Sequence, residues 1–213
     1  MNCCGPENAW DVMFDAKQAR HDLKSYRRNG AEATTKALIN LLRERGVRDA
    51  TLLDVGGGVG AIHHELLDAG AASAVHADAS SSYIGAAREE AERRGHGHRV
   101  EFVYGDFVAN AASIGPADVV TLDRVICCYA DMPALVAASA SRATQCYGAV
   151  FPRDRWFLRL GFRVLNWFMA LRRQAFRVYM HAPSAIDAAL QREGLTRRSA
   201  AQTFVWHVVV YAR

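Results

Sequence analysis

The sequence predicts an α/β fold built on a parallel sheet with helices on both faces. Three observations lead there. From residue 51 onward, short apolar runs of strand length alternate with segments of helical period, as in successive βαβ units. The first run, Thr51-Leu-Leu-Asp-Val55, passes straight into glycines at 56, 57, 58 and 60, a strand–turn–helix junction. The last two runs, residues 196–203 and 204–212, follow one another with no helix between them, so they pair antiparallel at a sheet edge.

The elements follow in order. Residues 11–29 are polar with helical character and end at Asn29-Gly30, a C-cap pair. Residues 31–45 bring Ala37, Leu38, Leu41 and Leu42 to one face, and Gly46 stops that helix. After the strand at 51–55, a helix spans 60–69 and a second strand 73–77. Ser80 offers a cap oxygen to a helix reaching about residue 94. Strands at 100–104 and 117–122, a helix at 131–143 and a strand at 146–151 complete the alternation. Residues 153–181 are a helical, aromatic-rich insertion, and a helix follows at 183–192.

Composition sets the outer limits. The chain has 213 residues, 51% hydrophobic and 23% charged. That suits one α/β domain over residues 1–213 and excludes a disordered chain. A net charge of +4 is too small for a dedicated nucleic-acid binder. The N-terminal run has neither a basic start nor an apolar core, so no secretory leader is expected. The apolar stretch 156–171 is broken by Arg159, Arg163 and Asn166, which argues against a spanning helix. Cysteines fall at 3, 4, 127, 128 and 146. The odd count and the vicinal pairs make a poor disulfide framework, so a reducing cytoplasm is expected.

The sharpest local signal is Asp54-Val-Gly56-Gly57-Gly58-Val-Gly60. Glycines there supply positive φ and let a ligand approach bare backbone, outside the carboxyl end of the first strand. Gly56-x-Gly58-x-x-Ala61 with Asp78 after the second strand also satisfies the dinucleotide fingerprint, so a nicotinamide oxidoreductase is one rival reading. Three features oppose it. Asp54 before the glycines suits a ligand carrying an ammonium and would repel a pyrophosphate. Gly105-Asp106-Phe107 after the third strand offers an acceptor to an adenine amino group and a ring to pack it. The C-terminal antiparallel pair is foreign to a simple nicotinamide domain.

In these motifs, their order and their spacing, the chain resembles the class I S-adenosylmethionine-dependent methyltransferases from about residue 26 to 213. The resemblance implies a Rossmann-like seven-stranded mixed sheet of order 3-2-1-4-5-7-6, with strand 7 antiparallel, and an N-terminal helical arm over residues 1–30. It implies S-adenosyl-L-methionine as cofactor. Gly56, Gly57, Gly58 and Gly60 would face its methionine part, Asp78 with Ala79 its ribose, and Asp106 with Phe107 its adenine. In relatives a Tyr or Arg before the first core helix reaches the methionine carboxylate, which points to Tyr26 and Arg27. The segment after the fourth strand faces the transferred methyl, which brings in Asp123 and Arg124. The run 123–129 is similar to bacterial relatives of magnesium-protoporphyrin O-methyltransferases.

Methyl transfer is an in-line displacement dominated by positioning. A base is needed only when the acceptor arrives protonated. Asp123 is expected as base or orienter, Tyr129 as donor or proton relay, and His181 as a second base. Arg124 could hold a carboxylate. The expected acceptor is a small molecule methylated on sulfur or oxygen. Two alternatives stay open: a non-catalytic cofactor-binding protein, and a metalloid methyltransferase joining Cys127 and Cys128 to Cys3 and Cys4. His63 and His64 read as structural or cofactor-adjacent, and His96 and His98 as exposed loop residues, so no metal site is expected. Residues 153–177 hold seven arginines and one acid, Asp154. A packed helix with solvated arginines, combined with a lid walled by Trp156, Phe157, Trp167, Phe168 and Met169, fits best. A membrane-surface helix comes next, and nucleic-acid contact last.

Overall fold

A computed structural model describes residues 9–213. Seven strands form one sheet in the order β3-β2-β1-β4-β5-β7-β6, the order that the resemblance implied. They are β1 (Thr51–Val55), β2 (Ser73–Asp78), β3 (Val100–Tyr104), β4 (Ala117–Asp123), β5 (Ala143–Pro152), β6 (Thr196–Gln202) and β7 (Trp206–Ala212). β1 to β5 pair in parallel, and β7 runs antiparallel to both β5 and β6.

Period-two alternation divides the core between the two faces of the sheet. Leu53, Val55, Val209 and Tyr211 point into one core, with Leu135, Ile186 and Leu190. These last three come from α7 (Met132–Ala140) and α9 (Pro183–Arg192). Leu52, Val208 and Val210 point into the other core, with Leu38, Leu42, Ile62 and Leu66. Those belong to α3 (Ala33–Arg43) and α4 (Ala61–Asp68), and α5 (Ser81–Arg94) adds Tyr83 and Ala86 on the same side. Tyr147 and Tyr211 are fully buried on the α7/α9 side, and the Tyr147 hydroxyl shares a 2.9 Å hydrogen bond with Ser139.

The N-terminal helix expected over 11–29 is two helices, α1 (Ala9–Met13) and α2 (Ala16–Asn29). Asp15 separates them. Its carboxylate accepts from the backbone N–H groups of Lys17 and Gln18 at 2.9 and 2.8 Å, and an N-cap ends any helix running through it. Cys3 and Cys4 lie outside the described residues, and so does the four-thiol arrangement built on them. The insertion contains one long helix, α8 (Trp156–Leu171), followed by irregular chain up to α9. The short helix after β3 is α6 (Phe107–Asn110).

The strand order reverses between β1 and β4, so the crevice at their carboxyl ends is the switch point where open α/β sheets bind ligands. α3 reaches the sheet beside this crevice because Gly148 on β5 has no side chain. A β-carbon there would stand 2.8 Å from Leu38 Cδ1. Gly148→Val is therefore expected to lower unfolding free energy by about 1–3 kcal/mol through overpacking. Gly85→Ala, in open space on α5, should raise it by about 0.5–1 kcal/mol. Urea denaturation of the two variants checks both signs.

Candidate cofactor and acceptor cavity

A cavity of about 580 Å³ opens at the β1/β4 crevice, within the range that encloses a drug-sized ligand. Its floor is the glycine turn. Gly56, Gly58 and Gly60 take φ of 62°, 57° and 83°, a region L side chains rarely enter. A β-carbon on Gly56 would overlap Val125, and one on Gly57 would stand 2.6 Å from His76 Nδ1. The turn is tied to β2 by Gly56 N–H donating to Ala77 O at 2.7 Å. Gly56, Gly57 and Gly58 line the cavity. Gly60 serves as the left-handed N-cap of α4.

A carboxylate stands at or just past the tip of each of the first four strands. Asp54 is fully buried. Its Oδ1 accepts from Thr121 Oγ1 at 2.7 Å across the β1/β4 pair, and its Oδ2 meets His63 Nδ1 at 3.1 Å. The charge expected to greet an ammonium is therefore engaged in the layer beneath the turn. Asp78 holds the turn from the side, accepting from Gly58 N–H at 3.0 Å and Ser80 N–H at 2.8 Å. Desolvation by the surrounding chain raises its carboxyl to about 6. Asp106 caps α6 through Val108 N–H at 3.0 Å, and both its oxygens accept from the Tyr129 hydroxyl at 3.0 Å. Asp123 is raised by burial, and is held by Thr35 Oγ1 at 2.5 Å and Arg124 Nε at 3.2 Å.

Arg124 sits at φ 62°, a strained position for a non-glycine residue and one that recurs at functional sites. Its guanidinium bridges Asp123 and Glu32. Tyr26, Ala79, Phe107, Asp123, Arg124 and Tyr129 all line the cavity. The Tyr26 hydroxyl donates to Glu65 at 3.1 Å. Arg27 and His181 are not on its wall. Arg27 pairs with Glu89 and Glu90 on α5 at 2.9 and 2.8 Å, and His181 Nε2–H donates to the Tyr129 carbonyl at 2.9 Å.

Several wall residues carried no sequence signal. Trp10 stacks on Tyr129 with ring centres 6.2 Å apart, and Phe14 meets Phe176 edge-on at 5.5 Å. Asp11 fastens α1 by accepting from Ser81 N–H and the Tyr104 hydroxyl, both at 2.8 Å. Thr35 reaches Asp123 from 88 positions away, a contact no local pattern encodes. From α8 it is Phe162 that lines the cavity. Trp156, Trp167 and Phe168, expected as lid walls, are exposed, while Met169 is buried and Phe157 stacks on Phe204. Cys127 and Cys128 line the cavity with sulfurs 3.9 Å apart. Contact with Cys127 and burial push the Cys128 thiol well above its ordinary range.

Four histidines pack beneath the turn. His63, His64 and His76 are fully buried, and desolvation holds them neutral, with pKa values of about 3, 2 and 3. His96, expected in an exposed loop, is also buried. It meets His64 Nδ1 at 3.2 Å because the chain after α5 folds back over α4.

Residues 52–146 match the family model described as a methyltransferase domain. No curated protein sequence matches the chain. Among solved structures, magnesium protoporphyrin IX methyltransferase from Synechocystis PCC 6803, solved with S-adenosylhomocysteine (SAH) bound, superposes with a TM-score of 0.69 at 18% identity. The match covers 97% of this chain and 93% of that one. An O-methyltransferase family protein from Burkholderia thailandensis gives 0.69 at 17% identity over 93% and 60%. The pyocyanin biosynthetic protein PhzM gives 0.60 at 20% over 96% and 68%. The superposed structures show the fold of class I methyltransferases, and residues 52–146 are its matched methyltransferase-domain core; the Synechocystis enzyme is solved with S-adenosylmethionine as well as SAH bound.

Thr121→Val is expected to lower stability by about 1–3 kcal/mol, because the buried Asp54 Oδ1 loses its donor while side-chain volume is kept. Guanidinium unfolding of the purified variant measures it.

Proposed function

We propose that the chain methylates a small, largely apolar acceptor on oxygen or sulfur, with cofactor and acceptor sharing the one cavity. The observation that carries this reading is the pairing of two unlike sets of wall residues in one cavity. One set is bare backbone and carboxylates at the tips of β1 to β3. The other is Cys127, Cys128, Tyr129, Phe162, Phe176 and Val178, joined to the first where the Tyr129 hydroxyl meets Asp106.

The first set fits S-adenosylmethionine by its own features. Gly56, Gly57 and Gly58 put no side chain in a ligand's way, and Asp78 keeps lone pairs free for vicinal hydroxyls after accepting its two backbone donors. Asp78 and Ala79 would hold the ribose, Asp106 and Phe107 the adenine, and the glycine turn with Tyr26 the amino-acid end. When bound, the cofactor supplies an electrophilic methyl group. The chain's own task is then to align the acceptor and exclude water. Asp123, raised by burial, is the nearest candidate to take a proton from a hydroxyl acceptor, and a thiol acceptor would need little help. Tyr129, fixed by Asp106 below and Trp10 above, would orient the acceptor. His181 contributes by holding the Tyr129 backbone. α1 would act as the lid. Turnover with a panel of thiols, phenols and aromatic carboxylates, read as SAH release, tests the reaction. Release with at least one apolar class is expected, and none with any class would point to a non-catalytic binder.

The reading makes two predictions for SAH binding by calorimetry. Asp78→Ala should weaken it at least tenfold. In wild type, affinity should be flat above pH 7 and fall as pH drops through about 6, because a protonated Asp78 cannot accept from both ribose hydroxyls. The slope approaches about tenfold per pH unit. Asp78→Asn should flatten the profile.

The exposed face of α8 supports a second, compatible reading, a membrane-surface helix. Trp156, Leu160, Val164, Trp167 and Leu171 form a stripe at helical spacing, with Trp156 77% and Trp167 66% exposed, beside Phe204 at 74%. Arg155, Arg159, Arg163 and Arg172 flank it, a composition suited to anionic headgroups. Flotation with phosphatidylglycerol vesicles should carry the protein upward and phosphatidylcholine vesicles should not. Trp156→Ser/Trp167→Ser should abolish flotation. A dimer dissociated by the same substitutions would assign the stripe to self-association instead.

A further inference from the structure

The histidines beneath the turn lie outside the cavity, and nothing in the methyl-transfer reading uses them. We propose that Asp54, His63 and His76 form a buried binding site for a divalent transition-metal ion of the zinc, cobalt or nickel type.

The donor atoms already converge. Asp54 Oδ2 lies 3.1 Å from His63 Nδ1, and His63 Nδ1 lies 3.4 Å from His76 Nδ1. All three atoms lie within 4.8 Å of one another. Imidazole nitrogens bind such ions at about 2.0–2.1 Å, which sets neighbouring tetrahedral donors about 3.3–3.4 Å apart. Two of the three edges, 3.1 and 3.4 Å, thus match a coordination face, with donors contributed by β1, α4 and β2. Two imidazoles and one carboxylate form a nitrogen–oxygen set of intermediate softness.

The rings are under-used as hydrogen-bonding groups. His63 has one Nδ1 proton at most, and it faces Asp54. That leaves His76 Nδ1 with a 3.4 Å contact, longer than a sound hydrogen bond. The Nε2 atoms of His63, His64 and His76 are buried with no protein partner. An ion at the three facing atoms would use the Nδ1 lone pairs of His63 and His76 and leave each Nε2 proton in its buried surroundings. Each ring can present Nδ1 as a lone pair with its proton on Nε2, the form in which an imidazole ligates an ion.

There is also room and a route. The β-carbon position of Gly57, where no side chain stands, is 2.6 Å from His76 Nδ1 and 2.8 Å from Asp54 Oδ2. From His63 a line of ligating side chains runs outward. Its ring lies 4.2 Å from that of His64, His64 Nδ1 meets His96 Nδ1 at 3.2 Å, and His96 Nε2 meets Asp68 at 3.1 Å. Asp68 is exposed. A line of ligating side chains thus runs from the site to the surface on the α4 side, while Asp54 also lines the cavity.

The test uses the full chain, stripped of metal and titrated with Co²⁺. One equivalent should bind with the intense ligand-field absorption of a four-coordinate site, and an equivalent of Zn²⁺ should survive dialysis and quench that absorption. His76→Gln should weaken binding by more than the roughly 10–100-fold that losing an outer partner costs, while His64→Gln keeps the stoichiometry. Should His76→Gln fail to fold, the NMR spectrum of the Co²⁺-loaded wild type decides, since two protected imidazole N–H resonances should be shifted far downfield. Wild type that retains no ion, binding undiminished in a folded His76→Gln, or a spectrum without the two shifted imidazoles would each overturn the proposal.

Discussion

The packing of a side-chain-free turn against the buried ends of β1, β2 and β4 governs the rest of the site. Val125 presses on Gly56, and His76 and Asp54 press on Gly57. Any larger residue would lift the turn off the sheet. Because the turn lies flat, Asp78 can accept from Gly58 N–H, α4 can start at Gly60, and the crevice at the strand reversal stays open. Asp54 is the pivot of that arrangement. Its two oxygens reach Thr121 on β4 and His63 on α4, so one buried carboxylate couples the switch point to the helix that the turn begins.

Two consequences follow for the chemistry. Negative charge is distributed rather than concentrated: Asp54 is engaged below the turn, Asp106 is bonded to Tyr129, and Asp123 is held by Thr35 and Arg124. Asp78, the one of the four whose carboxyl rises to about 6, stands where vicinal hydroxyls would be read. The aromatic wall is assembled from distant segments, with Trp10 and Phe14 from the N-terminal helices, Phe162 from α8 and Phe176 from the chain after it. A cavity walled by both bare backbone and aromatic rings suits a reaction in which alignment outweighs acid–base work.

The fold was legible from the sequence because its signals are local. Strand runs, the glycine turn and the caps at Ser80 and Asn29-Gly30 each sit within a few residues, and the paired C-terminal runs distinguished this sheet from a purely parallel one. Acids placed directly after strands were legible for the same reason. What the sequence could not convey was direction. Arg27 was expected toward the ligand, yet it turns to Glu89 and Glu90; Asp54 lines the cavity, but its carboxylate oxygens are engaged by Thr121 and His63. His181 turns its Nε2 to a carbonyl. Thr35, Trp10 and the four-histidine layer depend on contacts across tens of residues, and α8 has apolar residues on both faces, so its pattern did not say which face meets the protein.

Hydrogen exchange with and without SAH tests the central claim most directly. Slowed exchange confined to residues 54–60, 78–80 and 105–108 is the result that a nucleoside seated in the β1/β4 crevice requires. Unchanged exchange in 54–60 at saturating SAH, or protection of that turn by a nicotinamide dinucleotide in its place, would contradict it.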